Sequence, residues 1–385
     1  MIKIDYTNAR PLDVHRWSDY SEVNIFVNEI YNDLKSIKGN EAISKKLVKV
    51  ILLDLYVAWC ADHSLMLMFS RDNNAYKAKS RYNELHIGKK IIGIVDALVK
   101  DGVIGQKKGF KDRISGIGFQ SRLWATNKLK AHFETVKFSQ FVITRNEDWD
   151  PIILRDKDKK NKEYDDTVET NRMRSVLLDY IKILENTYID IYDLDTPVLT
   201  VGTKKRTMRL QINQQDKLVR RVFNNLRWDQ GGRFYGGWWQ RCPKDYRKKI
   251  KMDGIMTAEV DFSGLHIVLL YAEEGINYWA EVNEDPYQLH GINDIDPDIN
   301  IRAAAKLLLL TAINSDDRKK TFQAFRAQSK AGTPEKKMTN EQLASMLAAL
   351  SNKHAPIAHQ LASGAGIDLM YVDSRITEKL IEKFT

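Results

Sequence analysis

The sequence has very little cysteine and no long apolar run. Cys60 and Cys242 are its only cysteines, and two distant thiols form neither a disulfide framework nor a four-ligand zinc site. Residues 1–5 do not begin the apolar segment of a signal peptide. No stretch approaches the roughly 18 apolar residues that a membrane-spanning helix needs. These absences predict a soluble, cytoplasmic protein in a reducing compartment.

The composition predicts a folded chain of two or three domains. The 385 residues are 43% apolar, which excludes a mainly disordered protein. The net charge of +9 suits a polyanionic partner such as nucleic acid, although many unrelated proteins share such a charge. Sequence patterns divide the chain into three regions, 1–145, 146–255 and 256–385.

The first region has the pattern of a helical domain that ends in a winged helix. Apolar residues at helical spacing predict helices over 23–38, 43–69 and 87–99. Short strands are predicted over 103–110 and 121–126, with glycines in the loop between them. A helix followed by two strands around such a loop, the wing, is typical of a winged helix.

The predicted wing is basic. It carries Lys107, Lys108, Lys111 and Arg113, and such basic wings commonly contact the phosphate backbone of DNA. We therefore predict nucleic-acid contacts at Lys107 and Lys108. The alternative is a winged helix that serves only in structure or in protein contacts, because a fold does not fix a function.

The second region combines a charged loop, a long helix and a mixture of cations with aromatic rings. The charge run over 155–163 predicts a solvated loop or linker, and the next pattern predicts a helix over 168–192. Cations interleaved with aromatic planes suit both phosphates and stacked bases. The residues assigned to nucleic-acid contact on this basis are Arg220, Arg221, Trp238, Arg241 and Arg247. The alternative is that the aromatic residues form a core.

The third region opens with the most informative stretch of the chain. Residues 259–262 have the pattern of a short apolar strand that carries one acidic residue, Asp261, and a helix is predicted directly after it. By the two-residue period of a strand, Val260 and Phe262 face the core while Asp261 and Ser263 face away. An isolated carboxylate at a strand edge favours metal chemistry, with Mg²⁺ or Mn²⁺ as the metal.

A basic motif follows further along the chain. Arg302 and Lys306 are four residues apart, a spacing that puts both cations on one face of a helix. Nucleotidyl transfer requires a metal at the attacking and leaving oxygens and cations for the triphosphate. The acidic and basic motifs together therefore favour this chemistry.

The two motifs resemble those of single-subunit polymerases of the DNA polymerase I type (family A), in the compact form carried by phages and mobile elements. The first palm motif of that family reads Asp-(Tyr/Phe)-Ser-x-x-Glu, and this chain matches it at Asp261, Phe262 and Ser263. The fingers helix of the family begins Arg-x-x-x-Lys, and the chain matches it at Arg302 and Lys306.

The resemblance covers roughly residues 200–385 and implies an α+β fold with the palm and fingers of a right-hand polymerase. It implies that Asp261 binds Mg²⁺ or Mn²⁺ and that Arg302 and Lys306 bind the triphosphate. The further nucleotide contacts that it implies are Ser263, His266, Tyr287 and Asn314. The implied partners are a DNA primer-template or single-stranded DNA, nucleoside triphosphates, and a helicase or other replication protein, in a bacterial cell or a phage-infected host.

The chain departs from the family pattern at three positions. Leu310 and Asn314 stand where the fingers helix has aromatic residues, so the platform that stacks the nucleotide is altered or supplied from elsewhere. His266 stands where the family has a glutamate that crowds the ribose 2′-hydroxyl. Because histidine has a different shape and can donate or accept a hydrogen bond, we expect relaxed sugar discrimination, and a primase-polymerase stays open. The alternative is that His266 only caps or packs against its helix.

The second catalytic carboxylate does not match the family. Two-metal transfer needs a second acidic residue near Asp261, which the family supplies from a His-Asp turn, and no His-Asp follows Lys306. Asp373 is the candidate replacement. However, residues 365–384 have helical spacing, which predicts that Asp373 lies on a helix surface. On that interpretation the chain ends before its metal-binding hairpin and does not catalyse transfer alone.

These patterns predict a template-directed nucleotidyltransferase in the replication of a phage or mobile element. The alternative is a non-catalytic replication initiator or regulator that binds DNA through the winged helix and keeps a polymerase-like body for protein contacts. A metal-dependent nuclease is poorly supported, because the sequence has no cluster of several close carboxylates and histidines.

Overall fold

The computed structural model has an α+β fold built around three apolar cores. It describes residues 5–111, 116, 118–145, 149–203, 206–292 and 295–385, and for 202, 203 and 206–208 it describes the backbone alone. Within these residues, no helix is both long and apolar enough to cross a membrane.

The regular elements are helices and short strands in the first two regions and, among the described residues, helices alone after β17. The α-helices are α1 (Ser21–Asn32), α2 (Glu41–Ala61), α3 (Lys90–Lys100), α4 (Asn127–Thr135), α5 (Val168–Asn186), α6 (Lys244–Arg247), α7 (Leu265–Glu273), α8 (Ile301–Ile313), α9 (Arg318–Gln328), α10 (Asn340–Lys353) and α11 (Gly366–Phe384). The strands are β1 (Ala9–Pro11), β2 (Arg16–Trp17), β3 (Met66–Phe69), β4 (Ile104–Lys107), β5 (Phe110–Lys111), β6 (Gly118–Phe119), β7 (Ser121–Ala125), β8 (Thr144–Arg145), β9 (Ile152–Arg155), β10 (Asn161–Lys162), β11 (Ile189–Ile191), β12 (Val198–Thr203), β13 (Arg206–Gln211), β14 (Val219–Phe223), β15 (Gly231–Gly236), β16 (Ile250–Met252) and β17 (Ile255–Met256).

The first region packs the buried helix α2 against a four-stranded sheet. The strand order is β1-β3-β7-β4, in which β7 is antiparallel to both β3 and β4, and β1 is parallel to β3. Helix α2 begins after Asn40, whose side chain accepts a hydrogen bond from the Ile43 N–H. Its apolar residues are buried on several faces, so α2 forms the centre of the first apolar core.

The predicted helix over 43–69 is too long. Helix α2 ends at Ala61, and β3 takes up the last part of the predicted range. The helix stops because Asp62 turns the chain: its carboxylate accepts hydrogen bonds from the N–H and the hydroxyl of Ser64. Three of the four residues of β3 then pair with β7.

The predicted strand pair after α3 is present as the hairpin of β4 and β7. Gly105 is required in β4 because a β-carbon there would collide with the ring of Trp124 on β7. The tip of the hairpin contains the short strands β5 and β6. Arg113, a predicted cation of this tip, lies outside the described residues.

The second region is built on a sheet of order β10-β9-β14-β15, in which β9 is parallel to β14. Thr167 caps the start of α5, and the helix ends at Asn186 rather than at the predicted 192 because β11 joins a separate sheet with β16 and β17. The charge run over 155–163 contains the turn between β9 and β10, as predicted for a loop tip.

The third region is mainly helical. Helices α7, α8, α9 and α10 share one apolar core, whereas α11 lies along β15 and contacts both α5 and α7. The helical spacing over 365–384 therefore predicted α11 correctly. Through α11, the start of the third region is tied to the sheet of the second.

Candidate functional site

The acidic motif lies in an exposed segment that leads into α7. The predicted palm strand over 259–262 is wrong, because the structure has no strand there and Val260 and Phe262 are 92% and 51% exposed. The physical reason is that no described residue forms a backbone hydrogen bond with residues 258–262. Alternating apolar residues form a buried strand only where a neighbouring strand and a packing surface exist.

Asp261 presents a free carboxylate in this segment. Asp261 and Ser263 are both exposed, and Asp261 makes no hydrogen bond or ion pair with any described residue. The neighbouring Glu259 is paired with Arg247 at 3.3 Å. Arg247, which was predicted to contact nucleic acid, therefore reaches the acidic motif through one ion pair.

Helix α8 presents its two predicted cations on one face. Its Ncap residue Asn300 accepts a hydrogen bond from the Ala303 N–H. Arg302 and Lys306 are exposed, while the opposite face, with Leu308 among others, is fully buried in the apolar core. The predicted i, i+4 face is confirmed. Lys306 makes no ion pair within the described residues.

Tyr287 lies beside both cations and close to the acidic motif. Its ring centroid is 5.6 Å from the Arg302 guanidinium and 5.4 Å from the Lys306 amine. Burial raises the pKa of Tyr287; the charge of Arg302 lowers this pKa, and those of Asp285 and Asp261 raise it. Tyr287 is therefore the point of convergence: its ring lies beside both cations, and its hydroxyl is within electrostatic range of Asp261.

Gly264 makes this convergence sterically possible. It turns the chain into α7 with φ +64°, in the left-handed region that glycine adopts without a steric penalty. A β-carbon at this position would lie 3.2 Å from Cγ of Pro286 and 4.0 Å from the hydroxyl of Tyr287. The start of α7 and the turn that carries Tyr287 are therefore in close contact.

Asp285 joins this turn to α8. Its Oδ1 accepts a hydrogen bond from the Tyr287 N–H at 2.9 Å, and its Oδ2 accepts one from Nε of Arg302 at 2.5 Å. The bond with Arg302 lowers the pKa of Asp285 and raises the pKa of Arg302. Sequence reasoning named Tyr287 as a nucleotide contact but missed Asp285 as the partner of Arg302, because the side-chain contact spans 17 positions.

Buried groups of α7, α10 and the chain between them hold the turn on both sides of Asp285. Nε2 of His354 bonds the Pro286 carbonyl at 2.8 Å, and Nδ1 bonds the Tyr271 hydroxyl at 3.1 Å. The hydroxyl of Tyr278 donates to the Glu284 carbonyl at 3.0 Å. His354 is 1% exposed, and burial lowers its pKa. No motif in the sequence signals this role, because His354 acts only through backbone carbonyls and one hydroxyl.

His266 belongs to a neighbouring cluster with Arg233 and Asp373. Oδ2 of Asp373 accepts hydrogen bonds from Nη2 and Nε of Arg233 at 2.8 and 3.1 Å. Burial lowers the pKa of His266, Arg233 adds to this effect and Asp373 opposes it. The half-buried His266 has a buried Nε2 without a hydrogen-bond partner in the described residues. Asp373, the candidate second metal ligand, lies on α11 and its carboxylate is held by an arginine.

Asn314 is separated from the other predicted nucleotide contacts. It follows the last turn of α8, where Nδ2 donates to the Leu310 carbonyl at 2.8 Å. The 12 positions between Arg302 and Asn314 correspond to about 18 Å along a helix axis. The structure does not bring Asn314 to the cations at the start of α8.

The predicted nucleic-acid contacts of the second region fall into two groups. Arg221 is 1% exposed and pairs with Glu378 at 2.7 Å, and Trp238 is fully buried in the second core. Direct contact of these two residues with nucleic acid is therefore excluded in this structure, and they are corrected to core residues. Arg220 and Arg241 are exposed, the latter paired with Asp216 at 2.8 Å.

The basic hairpin tip of the first region is open to solvent. Lys107 and Lys108 are exposed, and the Lys107 amine lies 5.7 Å from the Phe110 ring. Opposite Lys107 on β7 lies Arg122, whose burial lowers its pKa. Because Lys107 and Lys108 are exposed, their predicted contact with the phosphate backbone of a nucleic acid is sterically possible.

The residues beside Tyr287 fit a magnesium ion only in part. Mg²⁺ usually takes one or two carboxylates and completes its shell with phosphate oxygens and water. Asp261 offers one free carboxylate. Over the described ranges, no group of three or more His, Cys, Asp or Glu side chains is arranged to hold a metal. The donor set fits an ion that a bound triphosphate completes, not a site built from protein alone.

Comparison with known proteins adds no family assignment. No family model, curated protein or solved structure matches the chain.

Proposed function

We propose that this chain catalyses template-directed nucleotidyl transfer, as a DNA polymerase or primase-polymerase in the replication of a phage or mobile element, with the metal ion held by Asp261 and the bound triphosphate rather than by Asp373. The observation that carries the proposal is the convergence of Asp261, Tyr287, Arg302 and Lys306. Two exposed cations on one helix face, beside a free carboxylate, suit a triphosphate and its metal ion.

Each residue of the site has a role in the proposed reaction. Arg302 and Lys306 hold the triphosphate and stabilise the negative charge that develops during transfer. Asp261 would hold Mg²⁺, which neutralises charge on the attacking and leaving oxygens when it is bound. Tyr287 supports both cations through its ring face, and the exposed Arg220 and Arg241 guide the primer-template.

The architecture that goes with this function is part of the proposal. What supports a winged helix in the first region is α3 followed by the β4–β7 hairpin, with β3 on the other side of β7. What supports a palm and fingers is α7 directly after the acidic motif, followed by α8 with its cationic face. Lys107 and Lys108 then contact the phosphate backbone of the bound nucleic acid.

The experiment is nucleotide incorporation by the purified chain. We expect Mg²⁺-dependent incorporation of labelled nucleotides on a primed template. Comparison of deoxynucleotides with ribonucleotides, and of primed with unprimed templates, separates a DNA polymerase from a primase-polymerase and tests the effect of His266. Template binding without any incorporation, at all metal and nucleotide combinations, would contradict the proposal.

A second candidate function is a non-catalytic replication initiator or regulator that binds DNA. The observation that favours it is the ion pair of Arg233 with Asp373, which occupies the candidate second carboxylate. On this alternative, replacing Lys107 and Lys108 with alanine abolishes duplex binding, and no activity depends on a metal. The matched control replaces the exposed Lys319 and Lys330, which changes the net charge equally.

A further inference from the structure

Resting on the proposed function, we infer that Asp285 is a positioning residue for the triphosphate site. It holds the Arg302 guanidinium by its Nε edge, so that the two terminal amino groups face the ligand. Asp285 itself does not touch the phosphates. The inference names the residue that prepares Arg302 for bidentate binding, a role that neither sequence motif contains.

The hydrogen bonds of Arg302 leave its two terminal amino groups open. Its Nε donates to Oδ2 of Asp285 at 2.5 Å, and Nη1 and Nη2 bond no described residue. A guanidinium offers five donors in a rigid fork. A carboxylate on the Nε edge therefore fixes the plane of the fork and leaves the Nη groups for two parallel bonds to a phosphate.

Asp285 is held in a fixed position by the turn that carries it. Its other oxygen accepts the Tyr287 N–H at 2.9 Å. The carbonyls on either side, of Glu284 and Pro286, are bound by the Tyr278 hydroxyl and by the buried His354. The carboxylate is thus anchored in a turn that is bonded to the helical core, and the flexible partner is Arg302.

The ion pair of Asp285 with Arg302 is accessible from solvent. The side chains of Asp285 and Arg302 are 35% and 51% exposed, so a ligand can reach the guanidinium without opening the core. Lys306 lies one helical turn further, about 6 Å along the axis, and has no ion-pair partner within the described residues. The oriented Arg302 and the unpaired Lys306 can then hold different phosphate groups of one triphosphate.

Two possible roles of Asp285 predict opposite changes in polyphosphate affinity when its carboxylate is removed. If it positions Arg302, its removal weakens binding of a polyphosphate. If it instead competes with the ligand for Arg302, its removal strengthens binding, because a repelling negative charge is lost. The geometry favours positioning, since Asp285 occupies only the Nε edge and leaves the Nη groups open.

The test is a binding cycle with inorganic tripolyphosphate, the full chain and the substitution Asp285→Asn. Asparagine keeps an oxygen for the Tyr287 N–H, so the turn is retained. We expect Asp285→Asn to weaken tripolyphosphate binding about threefold to fivefold at low salt, in the range of an exposed charged contact. In the Arg302→Ala background we expect less than about a twofold change, because positioning acts only through Arg302.

The control is Asp316→Asn, which removes the same charge from an exposed ion pair with Lys320 at the far end of α8. It should leave tripolyphosphate binding unchanged. Tighter binding by Asp285→Asn overturns the inference in favour of competition. Equal weakening with and without Arg302 overturns it in favour of a general disturbance of the turn. If the unchanged chain binds no tripolyphosphate, the inference is also overturned, because there is then no triphosphate site to position.

The cycle uses no template and no turnover, so its result is independent of incorporation. If the cycle gives the expected pattern but the chain incorporates no nucleotide, the proposed function fails while the positioning role stands. If incorporation occurs but Asp285→Asn leaves tripolyphosphate binding unchanged, the inference fails while the proposed function stands.

Discussion

Arg221 of the second region and Arg302 of the third are used in opposite ways. Arg221 in the second region is 1% exposed and is bound by Glu378, by the Gly232 carbonyl and by Ser374. Arg302 in the third region is exposed, and both of its terminal amino groups are without a partner among the described residues. The difference teaches that a basic stretch of sequence does not by itself mark a nucleic-acid surface, because burial decides whether a cation binds the protein or a ligand.

The buried arginine explains how the two regions are joined. Arg221 comes from β14 and Glu378 from α11, so their ion pair links the sheet of the second region to the last helix of the third. Burial lowers the pKa of Arg221, and the carboxylate of Glu378 opposes that effect. A charge that has lost its water depends on this partner.

The largest expected effect breaks this buried pair. Arg221→Ala removes the buried partner of Glu378 and leaves this carboxylate to the more exposed Arg172 and Arg375, so we expect a loss at or below the about 3–5 kcal/mol that breaking a buried pair costs. We expect that loss in the free energy of unfolding measured in urea. The control is Arg227→Ala, at an exposed arginine whose single ion pair within the described residues is with Asp229, and its free energy of unfolding should stay within about 0.5 kcal/mol of the unchanged chain. A similar small change for Arg221→Ala would show that its burial carries no structural role.

A smaller effect is expected at the exposed cations of α8. Lys306→Ala removes a free amine and should weaken tripolyphosphate binding about tenfold, or about 1.4 kcal/mol, without a change in the free energy of unfolding. Lys319→Ala, at an exposed lysine on α9, is the control. Loss of stability together with binding would mean that the cations of the two regions do not differ in role.

The buried histidine that anchors Pro286 gives the third region a pH dependence. Burial lowers the pKa of His354 below its ordinary 6.5, so the unfolded chain takes up a proton first as the pH falls. The contribution of neutral, buried His354 to the free energy of unfolding is therefore complete above about pH 6.5 and is lost progressively as the pH falls below this value.

We expect His354→Gln to reduce this dependence when the free energy of unfolding is measured between pH 7.5 and about 5.5, values set at about one unit on either side of the ordinary pKa. Part of the dependence should remain, because burial also lowers the pKa of His266. His290→Gln, at an exposed histidine, serves as the control. An unchanged pH profile for His354→Gln would contradict the proposed anchoring.

The smallest expected effect concerns the exposed acidic segment. Val260→Asn should change the free energy of unfolding by no more than about 0.5 kcal/mol, because Val260 is 92% exposed. Leu308→Ala, at a fully buried position of α8, should cost about 2–5 kcal/mol. A large loss for Val260→Asn would restore the predicted buried strand.

Helices were predictable where periodicity and packing agree. The spacing over 365–384 gave α11, and the i, i+4 spacing of Arg302 and Lys306 gave the cationic face of α8. These predictions succeed because a helix satisfies its own backbone hydrogen bonds, so a local pattern carries most of the information.

The strand and the buried charges were not predictable for the opposite reason. The alternation around Val260 and Phe262 is real, but a strand needs a partner elsewhere in the chain, and none of the described residues supplies one. Arg221 and Arg220 are neighbours in a basic run, yet only the approach of α11 makes one a core residue. Asp285 gained its role through a contact with Arg302 that no local pattern encodes.

The most direct test of the proposed function is Mg²⁺-dependent nucleotide incorporation by the unchanged chain and by Asp261→Asn. The matched control is Asp298→Asn, at another exposed aspartate of the third region. We predict that the unchanged chain and the control incorporate nucleotide and that Asp261→Asn is reduced at least about 100-fold, equivalent to about 2.7 kcal/mol of transition-state stabilisation. Equal incorporation by Asp261→Asn, or none by the unchanged chain while it binds template and triphosphate, would contradict the account.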